Sequence, residues 1–178
     1  MRAAWVLAAG QAKRCPNKLS KDFCGLTLPE WACVFARANG FDPQIIGSQR
    51  LPGTAGALDG RSGLVLFGDN YYHGKMLYPN MTTGFTWSFQ ECAELALAFP
   101  DFVQEKPHGM CGRQPCFTGY CFIEDSDWDK PLKLSARGEY ELTQLIRGPA
   151  WHLDVDWEHY SYPEDYDRVL EYVKTHKD

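Results

Sequence analysis

The sequence predicts an α/β domain built on a largely parallel sheet, and three observations carry that prediction. Short apolar runs of strand length alternate with longer stretches of helical periodicity along the whole chain. One of the runs, Leu64-Val65-Leu66-Phe67, is apolar without a break, as a strand covered on both faces must be. Polar, glycine-containing loops follow the runs, and ligands of such sheets sit outside the carboxyl ends of the strands. The loop after the first strand, Asp69 and Asp154 thereby become candidates for a single crevice.

The elements follow in order. Residues 3–8 read as the first strand. Met1-Arg2 followed by Ala3-Ala4-Trp5-Val6-Leu7-Ala8-Ala9 has the outline of a secretion signal. Its apolar part is at the lower length limit, however, and runs straight into Gly10 and a basic loop, so a buried strand accounts for it better. Residues 11–21 form a polar loop with Lys13, Arg14, Lys18 and Lys21. A helix is expected over 29–39, with Pro29 suited to its first turn and Gly40 ending it. A strand at 43–47 leads to the loop Gln49-Arg50-Leu51-Pro52-Gly53, and Gly53 to Leu58 looks like a helix start. After the 64–67 strand and Gly68-Asp69-Asn70, Ser88 can cap a helix over 89–99. Strands near 101–105 and 115–123, a short helix from Glu139 to Ile146 and a last strand at 151–155 follow. A helix opened by Pro163-Glu164-Asp165 reaches Val173.

Composition bounds the function. With 178 residues, 44% hydrophobic and 23% charged, the chain fits one domain over residues 1–178 and excludes disorder, collagen and coiled coil. A net charge of −5 lacks the basic footprint of a nucleic-acid groove, and no run approaches a membrane span. The seven cysteines are odd in number, irregular in spacing and without a CxxC pair, which favours reduced thiols in the cytoplasm over disulfides or structural zinc.

The loop Leu7-Ala8-Ala9-Gly10-Gln11-Ala12-Lys13-Arg14-Cys15-Pro16-Asn17-Lys18 has the makings of a triphosphate cradle. Its strand-to-glycine turn lets backbone N–H groups approach an anion, and its cations neutralise charge. It carries neither the Gly-Lys-Ser/Thr ending of a P-loop nor GxGxxG. The stretch, with seven others in the same order, resembles the sugar-1-phosphate nucleotidyltransferases, glucose-1-phosphate thymidylyltransferases above all. Gly10, Arg14 and Lys18 match the opening Leu-Ala-Ala-Gly-x-Gly-x-Arg and Pro-Lys, with Ala12 replacing the second glycine and Asn17 separating Pro16 from Lys18. Gly25 and Leu28-Pro29-Glu30-Trp31, Gln49 with Gly53-Thr54-Ala55-Gly56-Ala57-Leu58, and Gly68-Asp69-Asn70 are similar to later family motifs. So are Val103-Gln104-Glu105-Lys106-Pro107, Thr118-Gly119-Tyr120, Ala136-Arg137-Gly138-Glu139-Tyr140-Glu141-Leu142-Thr143 and Trp151-His152-Leu153-Asp154 with Pro163-Glu164-Asp165.

The resemblance implies a three-layer α/β/α Rossmann-like nucleotidyltransferase fold of the GT-A-like type, with a mixed, mainly parallel sheet, in a single nucleotidyltransferase domain. It implies transfer of a nucleoside monophosphate from a nucleoside triphosphate to a sugar 1-phosphate, with magnesium as cofactor. Arg14, Lys18 and Asp69 would be catalytic, and Leu7, Ala9, Gly10, Gln11, Gln49, Gly53 and Thr54 would hold the nucleotide. Asn70, Glu105, Lys106, Gly119 and Tyr120 would hold the acceptor, and Trp151 would line its pocket beside Tyr120. Asp69 and Asp154 would ligate the metal, Asp154 by register and Asp156 as its alternative. Glu139 reads equally as a first-turn helix residue or a ligand, and His73 and His152 read as structural. The chain is short for the family and compressed between Lys18 and Gln49, which implies a minimal core, monomeric or a small homo-oligomer. Two alternatives stay open: a non-catalytic binder of nucleotide or sugar phosphate, and a cytidylyltransferase for phosphocholine or another small phospho-alcohol.

Overall fold

Five of the six strands in the main sheet run in one direction, so the sheet is mixed but mainly parallel. A computed structural model describes residues 1–10, 15–75, 84–91, 113–146, 150–152 and 157–178, with the backbone path alone for 84–91, 113–117 and 150–152. The strands are β1 (Arg2–Leu7), β2 (Phe41–Ile46), β3 (Gly63–Phe67), β4 (Asn70–Tyr72), β5 (Gly84–Glu91), β6 (Arg113–Ile123), β7 (Ala150–His152) and β8 (Trp157–His159). The helices are α1 (Leu28–Ala38), α2 (Thr54–Leu58) and α3 (Tyr166–His176). The main sheet has the order β2-β1-β3-β6-β5-β7, and β4 pairs with β8 in a separate antiparallel ribbon. Strand β6 alone is reversed, antiparallel to both β3 and β5.

Period-two alternation buries both faces of this sheet, which is why β3 carries no polar residue. Ala4, Val6, Leu64, Leu66, Tyr120 and Phe122 pack under α1 through Ala32, Phe35 and Ala36. Val65, Cys121 and Ile123 face the other way, onto Ala55, Ala57 and Leu58 of α2 and onto Leu142, Leu145 and Ile146. Helix α1 starts where a capping box permits: Glu30 N–H donates to Thr27 Oγ1 at 3.4 Å, and Thr27 N–H donates to Glu30 Oε2 at 2.7 Å. Burying Phe35 alone is worth roughly 2–3 kcal/mol of transfer free energy.

A third cluster positions the site. Helix α3 lays Val169 and Val173 against Cys15, Phe23, Leu28, Tyr71 and Tyr160, so the loop following β1 is packed from below by the C-terminal helix. Tyr166 Oη donates to Asp22 O at 2.8 Å, and Trp31 Nε1 donates to Phe23 O at 2.7 Å.

Two expectations need correction. The helix predicted from Ser88 over 89–99 is not what Ser88–Glu91 forms, because these residues belong to β5. The sequence there alternates aromatic and polar residues (Phe85, Thr86, Trp87, Ser88, Phe89, Gln90), a strand period that pairing with β6 and β7 satisfies. The helix expected from Glu139 to Ile146 shrinks to one 3-10 turn, Leu142–Gln144, because Tyr140 and Leu142 spend their backbone groups on the Pro52–Ala55 loop. The strand expected at 151–155 comprises β7 up to His152, and β8 follows as a separate strand. Residues 92–99, the strand predicted near 101–105, and 153–156 lie outside the described residues.

Candidate functional site

Strands β1 and β3 end side by side, and the chemistry of the site begins there. Gly68 N–H donates to Leu7 O at 2.9 Å, and a Cβ on Gly68 would lie 2.7 Å from that same oxygen. Only glycine allows the two backbones this close. The next residue, Asp69, is thereby placed at the mouth of a cavity of about 550 Å³ at the carboxyl ends of the strands. Leu7, Ala9 and Gly10 line it from β1 and its loop, Gln49, Gly53 and Thr54 from the loop before α2 and the first residue of α2, and Lys18 and Asp69 from its charged side. Its size is in the range of nucleotide-sized pockets.

Lys18 reaches this cavity through an unusual backbone. Asn17, the residue that separates Pro16 from Lys18, sits in the left-handed region at φ +60° and ψ 17°, which asparagine tolerates better than most residues. The chain turns there into the 3-10 turn Lys18–Ser20, and the Lys18 ammonium comes to rest 2.6 Å from Asp69 Oδ2. Both side chains are partly exposed, 19% for Lys18 and 32% for Asp69. Asp69 O also accepts from Tyr160 N–H at 2.9 Å, which ties the end of β8 to the same point.

The opposite wall is stitched from two segments far apart in sequence. Tyr140 N–H donates to Pro52 O at 3.0 Å, Ala55 N–H donates to Tyr140 O at 2.9 Å, and Leu142 N–H donates to Thr54 Oγ1 at 2.8 Å. Gly53 lies beneath Tyr140 at φ +91°, where a Cβ would fall 2.5 Å from Tyr140 O. The stitch carries Arg137, Gly138 and Glu139 to the cavity. The Arg137 guanidinium is 3.2 Å from Glu139 and 2.5 Å from Glu141. Arg137 and Glu141 were not singled out by sequence reasoning, although they stand inside a motif it quoted; a cation in that motif was the available signal. Glu139 lines the cavity and is not helical.

Of the residues expected at the acceptor, three lie behind the cavity wall. Asn70 is buried, and its Nδ2 donates to Tyr72 Oη at 2.9 Å and to Thr118 O at 2.8 Å. Burial drives the Tyr72 phenol far above its ordinary pKa, so it stays a neutral donor, 2.6 Å from Thr118 O. Gly119 sits beneath Phe67, whose ring a Cβ there would meet at 2.5 Å, and Phe67 in turn lines the cavity. Tyr120 is fully buried on the α1 face, against Phe35 and Tyr72. Gln11, Arg14, Glu105, Lys106, Asp154 and Asp156 lie outside the described residues, as does the side chain of Trp151. Among the described residues no three His, Cys, Asp or Glu side chains converge as a metal cage, and no helix is long and apolar enough to cross a membrane.

No protein-family model matches the sequence, and no curated protein matches it. Solved structures do match. The chain is similar to an inositol-1-phosphate CTP transferase from T. maritima, with a TM-score of 0.69, 14% identity, and 98% of this chain and 95% of that one covered. It is similar to a protein from Bacillus anthracis assigned as a glucose-1-phosphate thymidylyltransferase and solved with sucrose (TM-score 0.66, 16% identity, 97% and 95% covered). It is also similar to a CTP:phosphocholine cytidylyltransferase from Streptococcus pneumoniae (TM-score 0.63, 16% identity, 97% and 100% covered). The chain therefore has the Rossmann-like fold of these nucleotidyltransferases, in agreement with the resemblance of its motifs.

Proposed function

We propose that this chain is a nucleotidyltransferase that moves a nucleoside monophosphate group from a nucleoside triphosphate to a sugar 1-phosphate and releases pyrophosphate. One observation carries the proposal: Lys18 and Asp69 meet at 2.6 Å in a nucleotide-sized cavity walled by the Gln49–Thr54 loop, at the carboxyl ends of β1 and β3. In the reaction an acceptor phosphate oxygen attacks the α-phosphorus, the bond to the β-phosphate breaks, and both electrons leave with pyrophosphate. Two anions must approach each other, so the protein's task is positioning and charge neutralisation.

Each residue then has a role. Lys18 meets the α-phosphate and the incoming phosphate, and Arg14 steadies the leaving pyrophosphate. Leu7, Ala9, Gly10 and Gln11 form the floor under base and ribose, Gln49 reads a base edge, and the Gly53–Thr54 turn keeps that wall in place. Glu105 and Lys106 take the sugar hydroxyls and the acceptor phosphate, and Arg137, held by Glu139 and Glu141, borders the rim. Asn70, Gly119 and Tyr120 support the acceptor side from beneath, through Thr118 and Phe67. The Asp69 carboxylate is a hard, partly exposed oxygen donor beside the phosphate cradle, which fits magnesium, an ion usually held by one or two carboxylates plus phosphates. Asp69 would hold it, with Asp154 (or Asp156) as second carboxylate, and the ion would supply neutralising charge to the phosphates.

A second acceptor class is favoured by the solved neighbours, two of which bear names of CTP-dependent enzymes for inositol 1-phosphate and phosphocholine. Pyrophosphate release, measured with four nucleoside triphosphates against sugar 1-phosphates, inositol 1-phosphate and phosphocholine in magnesium, tests both. Release that needs one acceptor and vanishes in Asp69→Ala is expected. Tight triphosphate binding with no release under any acceptor would establish the non-catalytic binder instead.

A further inference from the structure

We propose that Lys18 is an internal counter-ion of Asp69, and that exchange of this one contact couples anion binding in the cavity to cation binding at Asp69. The inference rests on the cavity being a triphosphate site. Lys18 makes one contact with a charged group among the described residues, the 2.6 Å bond to Asp69 Oδ2. It borders two hollows: the 550 Å³ cavity, and a second of about 430 Å³ beside Thr27, Pro29 and Glu30 at the start of α1. Lys18 therefore borders open space in two directions, only one of which it shares with Asp69. Arg137, the other described cation of the cavity, is held by Glu139 and Glu141 together and lacks that freedom.

The consequence follows from charge. With Lys18 on Asp69, the carboxylate is neutralised and a divalent cation must displace an ammonium to bind. The same ammonium is withheld from phosphate until Asp69 releases it. Each ligand therefore lifts the cost of the other, by equal factors in both directions. A tenfold coupling corresponds to about 1.4 kcal/mol.

The test uses tripolyphosphate in EDTA, so that neither base identity nor metal enters. Calorimetric titration is run on the wild type, Asp69→Asn, Lys18→Met and the double variant. Asp69→Asn is expected to bind tripolyphosphate at least tenfold more tightly than the wild type, and the same change is expected to gain at least threefold less when Lys18 is already methionine. Lys18→Arg should keep the wild-type pattern. Equal gains in both backgrounds would mean simple charge repulsion and would overturn the coupling. Failure of every variant to bind tripolyphosphate would overturn the triphosphate site itself, and the coupling with it. The reciprocal measurement counts free Mn²⁺ by electron paramagnetic resonance without nucleotide. Lys18→Met should bind Mn²⁺ at least tenfold more tightly than the wild type, and an unchanged affinity would contradict the proposal.

Discussion

Two ion pairs, Lys18–Asp69 at the cavity and Arg168–Glu158 between β8 and α3, are built on different principles. At the cavity, Lys18 and Asp69 share one contact among the described residues, both partly open to solvent. At the start of α3, Arg168 is over-determined: it pairs with Glu158, lies 3.1 Å from Asp165 Oδ1, and donates to His159 O at 3.3 Å. Asp165 Oδ2 meanwhile accepts from Ser161 N–H at 3.1 Å and Tyr162 N–H at 2.9 Å. Burial by itself would raise the Asp165 pKa, but these N–H groups and the Arg168 guanidinium outweigh it and hold the carboxyl below its usual range. A network with five such contacts cannot exchange any of them cheaply, whereas a pair with one contact can be traded for a ligand. The contrast separates a pair that holds α3 in place from the pair to which the proposed reaction assigns a role.

The largest effect that would sharpen this contrast is catalytic. Asp69→Ala should lower pyrophosphate release by about 10³-fold and the melting temperature by only about 2–4 °C, since its pair with Lys18 is partly solvated. A large drop in melting temperature would break the distinction. Next comes Gly53→Ala, which forces a side chain into a left-handed backbone against Tyr140 O. It should cost about 2–3 kcal/mol in a urea melt and weaken triphosphate binding along with it.

Arg168→Met should act in the opposite sense to Asp69→Ala. It should destabilise the fold by about 1–2 kcal/mol in the same melt, with kcat per folded molecule unchanged, because Arg168 is 45% exposed and its loss leaves Glu158 incompletely solvated. The smallest effect is the acid limb. Since folding depresses the Asp165 pKa, its contribution is fully present above the unfolded value near 3.9 and is lost as pH falls through the lower folded value. The stability gap between wild type and Asp165→Asn, under about 1 kcal/mol, should hold from pH 7 to 5 and close below about pH 4.

Much of this contrast was legible in the sequence wherever a local rule applied. The unbroken run of β3 announced a doubly covered strand, and Gly68-Asp69 at its end announced the carboxylate. Pro29 and Gly40 bracket α1 within a residue or two. What stayed hidden was set by distant partners. Lys18 and Asp69 are 51 residues apart, and nothing local states that they touch. Leu142 had a helical look, but Thr54, 88 residues away, takes its N–H. The Phe85–Gln90 alternation was visible, yet the apolar spacing beyond it suited a helix as well, and pairing with β6 decided the matter. Asn17 looked like an intrusion in a motif and proves to be the turn that delivers Lys18.

The central claim, nucleotidyl transfer at the Lys18–Asp69 cavity, is tested most directly by following label. Triphosphate carrying ³²P at the α-position is incubated with magnesium and each acceptor, in parallel with triphosphate labelled at the γ-position. The account predicts that α-label moves onto one acceptor class while γ-label appears in pyrophosphate, one for one, in the wild type and in neither Asp69→Ala nor Lys18→Met. Release of γ-label as inorganic phosphate, or α-label that stays in the triphosphate and never joins an acceptor, would contradict it.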